Sequence, residues 1–80
     1  MDRVEIEAKV KDALAINLGH KAQDIKNTDS LVDDLGADSL DLVEMAMQLE
    51  DDLEVEIPDE DLEKLATVQA VIDYVLEKKA

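Results

Sequence analysis

The chain has no cysteine, phenylalanine or tryptophan, and only one tyrosine, one proline and two glycines in 80 residues. The lack of cysteine excludes disulfides, thiolate metal sites and a cysteine nucleophile, so any thiol chemistry has to be imported. With the large aromatics missing, the 46% of apolar residues must build a core from Leu, Val, Ile, Ala and Met, which is soft and easily reshaped. No apolar run approaches the roughly 20 residues of a membrane-spanning helix. The opening Met1-Asp2-Arg3-Val4-Glu5 lacks the regions of a secretory signal. A cytoplasmic location without membrane insertion is therefore expected.

Positive charge is scarce as well. Eight Lys and Arg face 22 Asp and Glu, a formal net charge of -14. Such a surface repels nucleic acid phosphates and anionic lipid, and it selects basic proteins or cations as partners. Self-repulsion predicts a monomer whose stability responds to salt and divalent ions. The length suits one domain over residues 1–80, too small for most catalytic scaffolds.

Periodicity divides the chain into helices. Ile6, Val10, Ala13, Leu14 and Leu18 recur at three-and-four spacing, with Asp2 and Glu5 placed as a capping box and Gly19 as a stop. Residues 19–37 form a long polar loop with Asn27, Thr28, Asp29, Ser30 and Gly36 as breakers and Ile25, Leu31, Val32 and Leu35 as apolar pegs. Loops of that length in a compact domain are usually functional. Leu42, Met45, Ala46, Leu49 and Leu53 mark a second helix, capped by Asp38 or Ser39. The alternation in Glu54-Val55-Glu56-Ile57-Pro58 suggests a strand with nothing to pair with, so it reads as a loop, with Pro58 opening a short helix through Leu65. Thr67 caps a final helix whose inner face is Val68, Val71, Ile72, Val75 and Leu76, with Lys78 and Lys79 near its negative end. The expected fold is all-α, a small bundle of three main helices and one short helix.

Ser39 falls at the junction of the long loop and the second helix. Free amides and the helix dipole favour an attached phosphate there, yet serine at a helix start is commonly just a cap. Geometry leaves both readings open. A hydrolytic role has little support, because the only histidine, His20, lies in a distant polar segment and no Gly-x-Ser-x-Gly elbow is present.

Context goes further than geometry. The stretch from Asp33 to Asp41, Asp-Asp-Leu-Gly-Ala-Asp-Ser-Leu-Asp, together with Glu56-Ile57-Pro58-Asp59-Glu60 and Thr67-Val68-Gln69-Ala70, resembles the acyl carrier protein family. The resemblance spans nearly the whole chain, and implies a four-helix carrier of acyl thioesters in fatty acid synthesis rather than an enzyme. It also implies a covalent 4'-phosphopantetheine on Ser39, flanked by the motif residues Asp38 and Leu40. A phosphopantetheinyl transferase using coenzyme A and magnesium would attach that arm, whose terminal thiol supplies the sulfur this chain lacks.

At roughly 100° per residue, the second helix carries a second stripe of Leu40, Val43, Glu44, Met47 and Asp51 opposite its core stripe. Scattered exposed apolar groups are ordinary, but acidic steering around a small apolar contact suits a carrier that many enzymes must bind and release. The resemblance likewise implies a second helix recognised by basic patches on synthesis enzymes, with Leu40, Asp41, Val43, Glu44, Met47, Glu50, Asp51 and Glu56 as the candidate docking residues. The resemblance also implies that an acyl chain shelters between the helices, with Met45, Ala46, Leu49, Ile57, Leu62, Leu65 and Val71 as the candidate pocket. Leu31 and Leu53 stand where relatives often have Phe, and Leu62 where many have Ala, a change that narrows or redirects such a pocket.

Other classes fit less well. A calcium loop built around Gly36 would put Leu31 at its first ligand position, so no resident metal is expected. An acidic adaptor without a prosthetic group, and a carrier for polyketide, peptide-synthetase or specialised-lipid synthesis, are the remaining alternatives.

Overall fold

The computed structural model describes residues 2–79; Met1, named in the opening segment, and Ala80, the last residue of the expected domain, lie outside them. Four helices follow one another: α1 (Arg3–Leu18), α2 (Ser39–Leu53), α3 (Asp59–Leu62) and α4 (Val68–Lys79), with a 3-10 turn at Ala22–Asp24. Three long helices and one short one match the all-α expectation, and among the described residues there is no strand.

Each helix forms where an apolar stripe meets a cap. In α1, Ile6, Val10, Ala13 and Leu14 are buried. Asp2 Oδ1 accepts the Glu5 amide at 3.0 Å, which is only half of the expected capping box, and Gly19 closes the helix in the left-handed region at φ 73°. α2 buries Met45, Ala46, Leu49 and Leu53, and α4 buries Val68, Val71, Ile72 and Val75. α1 packs against both α2 and α4, and no polar or charged residue is buried among the described residues. Leu18, Leu42 and Leu76, expected in these stripes, are only partly buried at the edge of the core.

The long loop is more ordered than its composition suggests. Its residues 27–31 run beside the start of α4, where Ser30 and Thr67 form an isolated bridge. Val68 and Gln69 donate their amides to the Asp29 and Asn27 carbonyls at 3.0 and 2.9 Å, and the Ala70 amide reaches Thr67 Oγ1 at 3.1 Å. Amides that a helix start leaves unpaired are thus matched by the loop and by the expected Thr67 cap. Leu31, Ile25, Leu35 and Ala37 anchor the loop in the core. Val32, expected as a further peg, is instead 56% exposed. Its neighbour Leu31 points inward, in a knuckle closed by Ala37 N–H donating to the Leu31 carbonyl at 2.8 Å, so Val32 faces out.

After α2 the chain turns at Glu54, which is left-handed at φ 54°. Val55 and Ile57 are buried while Glu54 and Glu56 are exposed, so the alternation reflects burial without a strand. Pro58 precedes α3, as expected, but the helix ends at Leu62, short of Leu65. The Lys64 and Leu65 amides close separate turns on the Asp61 and Leu62 carbonyls at 3.0 and 3.1 Å.

Candidate functional site

The loop knuckle delivers the chain to Asp38, whose extended backbone (φ -104°, ψ -176°) makes it the cap of α2. Asp38 Oδ1 accepts the Asp41 amide at 2.9 Å and Asp41 Oδ2 accepts the Asp38 amide at 3.1 Å, a reciprocal capping box. Of the two candidate caps, Asp38 therefore does the capping. Ser39 is the first helical residue and is exposed. Its hydroxyl has no hydrogen-bond partner among the described residues. The amides of Ser39 and Leu40 point out of the first turn, where the helix dipole favours a negative group.

His20, the sole imidazole, has Nε2 3.0 Å from the Leu35 carbonyl oxygen, and no group of potential metal ligands gathers among the described residues. The arrangement can accept a bulky substituent on Ser39 without losing a cap or a buried hydrogen bond.

Beside Ser39 lies a cavity of about 270 Å³ between α2 and α3, lined by Ser39, Leu42, Val43, Asp59, Leu62 and Glu63. Of the residues expected to line an acyl pocket, only Leu62 lines this cavity. Met45, Ala46, Leu49, Ile57, Leu65 and Val71 are buried in the core. Leu42 was expected in the core and Val43 on the surface. Both are half-buried cavity walls because α3 lies across this part of α2. Residue spacing along α2 shows which side Leu42 and Val43 occupy, but only the position of α3 makes that side a cavity.

The outer stripe of α2 is present. Leu40 and Met47 are 64% and 60% exposed, and Glu44, Asp51 and Glu56 are exposed too. Asp41 and Glu50 are half-buried and already engaged, Asp41 in the capping box and Glu50 through Oε2, which accepts the Ile57 amide at 3.0 Å. Glu50 thereby ties the loop after α2 back onto the helix.

One contact near the cavity had no sequence signal. The Tyr74 hydroxyl of α4 donates to Asp61 Oδ2 of α3 at 2.6 Å, and Lys64 Nζ lies 3.5 Å from Asp61 Oδ1. Burial, then the hydrogen bond to Asp61, pushes the Tyr74 phenol up to about 12. The same hydrogen bond lowers the Asp61 carboxyl from its ordinary value.

Residues 8–75 match the family model described as "Phosphopantetheine attachment site". A solved structure, the acyl carrier protein from Enterococcus faecalis, described for structural components that contribute to its high thermal stability, is similar at 36% identity and a TM-score of 0.80, covering 98% of this chain and 99% of that one. The chain belongs to the acyl carrier protein family. An acyl carrier protein is a carrier and not a catalyst. Its prosthetic group is a covalent 4'-phosphopantetheine, and the exposed, unpartnered hydroxyl at the start of α2 fits such a group. The acyl carrier fold serves acyl chains and the enzymes that build them. No described helix is long and apolar enough to cross a membrane.

Proposed function

We propose that this protein carries growing acyl chains in fatty acid biosynthesis, on a phosphopantetheine arm joined to Ser39 Oγ. One observation carries the reading: Asp38 performs the capping, so the Ser39 hydroxyl stands exposed at a helix start with no structural duty. A phosphopantetheinyl transferase would supply the base and magnesium for that attachment. When bound, the arm supplies the thiol on which an acyl group rides as a thioester. The chain's own part is to hold the attachment point, balance the phosphate with free amides and present a docking face.

That face is the exposed line Leu40, Glu44, Met47 and Asp51, spaced to lie along one side of α2, with Asp38 and Glu56 adding charge. Long-range attraction by the acids brings a basic enzyme surface in, and the small apolar contact lets it leave again. Val43 and Leu62 line the cavity beside Ser39, which supports reading it as the mouth of an acyl shelter that opens toward the soft core of Met45, Ala46 and Leu49. The 80 residues act as one monomeric carrier domain in the cytoplasm, kept apart from its copies by its charge of -14.

The test is incubation with a phosphopantetheinyl transferase, coenzyme A and magnesium, followed by intact-mass spectrometry. One adduct on the native chain and none on Ser39→Ala is expected; modification that persists in Ser39→Ala overturns the site. Transfer of malonyl groups by fatty acid synthesis enzymes at low salt then tests the pathway. Glu44→Lys should slow that transfer while helicity is unchanged.

A further inference from the structure

α3 has four residues, too few to be stable by itself, so its position depends on what holds it. One side faces the cavity through Asp59, Leu62 and Glu63. At roughly 100° per residue, Asp61 projects from the opposite side. There its two carboxylate oxygens are both engaged, Oδ2 by the Tyr74 hydroxyl and Oδ1 by Lys64. Lys64 belongs to the same turn, so Tyr74 is the partner that links α3 to another element. Tyr74 is half-buried, and Lys78 Nζ lies over its ring 5.4 Å from the centroid, which restrains the phenol from α4.

We propose that Asp61 and Tyr74 are positioning residues, whose hydrogen bond tethers α3, which packs on α2, to α4 and so sets the cavity wall beside Ser39. The inference rests on the reading of that cavity as the shelter for the acyl cargo. A charged acceptor and a 2.6 Å separation make this a strong bond, and the tyrosine is rigid enough to transmit the position of α4. Without the bond, α3 keeps Leu62 in the core but loses its rear anchor. The wall contributed by Leu62 and Glu63 then shifts relative to Leu42 and Val43.

The experiment uses the full chain as native protein, Tyr74→Phe, Asp61→Asn and the double variant. Tyr74→Phe removes one oxygen and leaves the ring packed, so folding is preserved. In unmodified protein, methyl resonances of Leu62, Leu42 and Val43 should shift in each single variant, although they lie across α3 from Tyr74. The Lys64 and Leu65 amides should exchange about five- to tenfold faster relative to those of α1, with the double variant no faster than the more affected single one. Shifts confined to the surroundings of Tyr74, a uniform rise in exchange throughout the chain, or additive effects overturn the proposal. After loading an octanoyl thioester, hydroxylamine should cleave it several-fold faster in Tyr74→Phe, and equal cleavage overturns the link to cargo. Failure to load Ser39 would sink the attachment reading alone, because the unmodified proteins judge the anchor of α3 independently.

Discussion

Asp38 and Asp41 cap each other reciprocally, at 2.9 and 3.1 Å, and Ser39, one of the two residues between them, is left out of that exchange. Asp38 thus does the capping, and its neighbour Ser39 is left free for the attachment proposed above. Asp38→Ala should cost about 1 kcal/mol of stability, the usual loss for an N-cap. Ser39→Ala should stay within about 0.5 kcal/mol, as for an exposed site without such a role. Urea denaturation of both variants checks this; a larger loss at Ser39 than at Asp38 would return the cap to the serine.

Tyr74 is the chain's only aromatic residue, so its phenolate absorbance reads one group. Burial and Asp61 raise its folded pKa to about 12, above the unfolded value near 10. Its contribution to stability is therefore complete below the unfolded value and is lost as pH rises through about 12. Asp61 has the opposite sign, because its folded pKa is lowered. Its contribution is present above the unfolded carboxylate range and fades as pH falls through the depressed folded value. The ultraviolet midpoint should move down in Asp61→Asn without reaching the free value, since burial remains. An unchanged midpoint would contradict the contact.

No Lys or Arg stands between Lys26 and Lys64, a stretch that contains all of α2 and α3. Only two ion pairs, Lys11 with Glu7 and Lys64 with Asp61, occur among the described residues. The molecule measures 29 × 27 × 19 Å, comparable with the ~30 Å screening length at about 0.01 M salt. At about 0.15 M that length falls to ~8 Å, and repulsion across the molecule disappears. Thermal melts should therefore rise by roughly 4–8 °C per kcal/mol of repulsion relieved. A Tm independent of salt and magnesium would refute the expectation.

Glu54 ends α2 in the left-handed region, where a side chain is costly, and it is exposed. Glu54→Gly removes that cost and one negative charge from the negative end of the helix. It should stabilise the chain by about 0.5–1 kcal/mol, whereas Glu54→Val should destabilise it. Chemical denaturation of the two variants decides, and a loss in both would mean that Glu54 makes a contact the glycine lacks.

The sequence by itself determined the three long helices, because their apolar spacing and caps at Asp2, at Asp38 or Ser39, and at Thr67 are local properties; the structure chose Asp38. The motif from Asp33 to Asp41, a run of consecutive residues, likewise carried the resemblance to the family. Tertiary structure decided the uses of groups whose partners lie far along the chain: Tyr74 reaching Asp61, Glu50 holding Ile57, and loop carbonyls meeting the amides of α4. It also turned Leu42 and Val43 into cavity walls and left Val32 facing water. Periodicity assigns a residue to a side of its own helix, but it carries no information about which element will cover that side or which polar group will reach across to it.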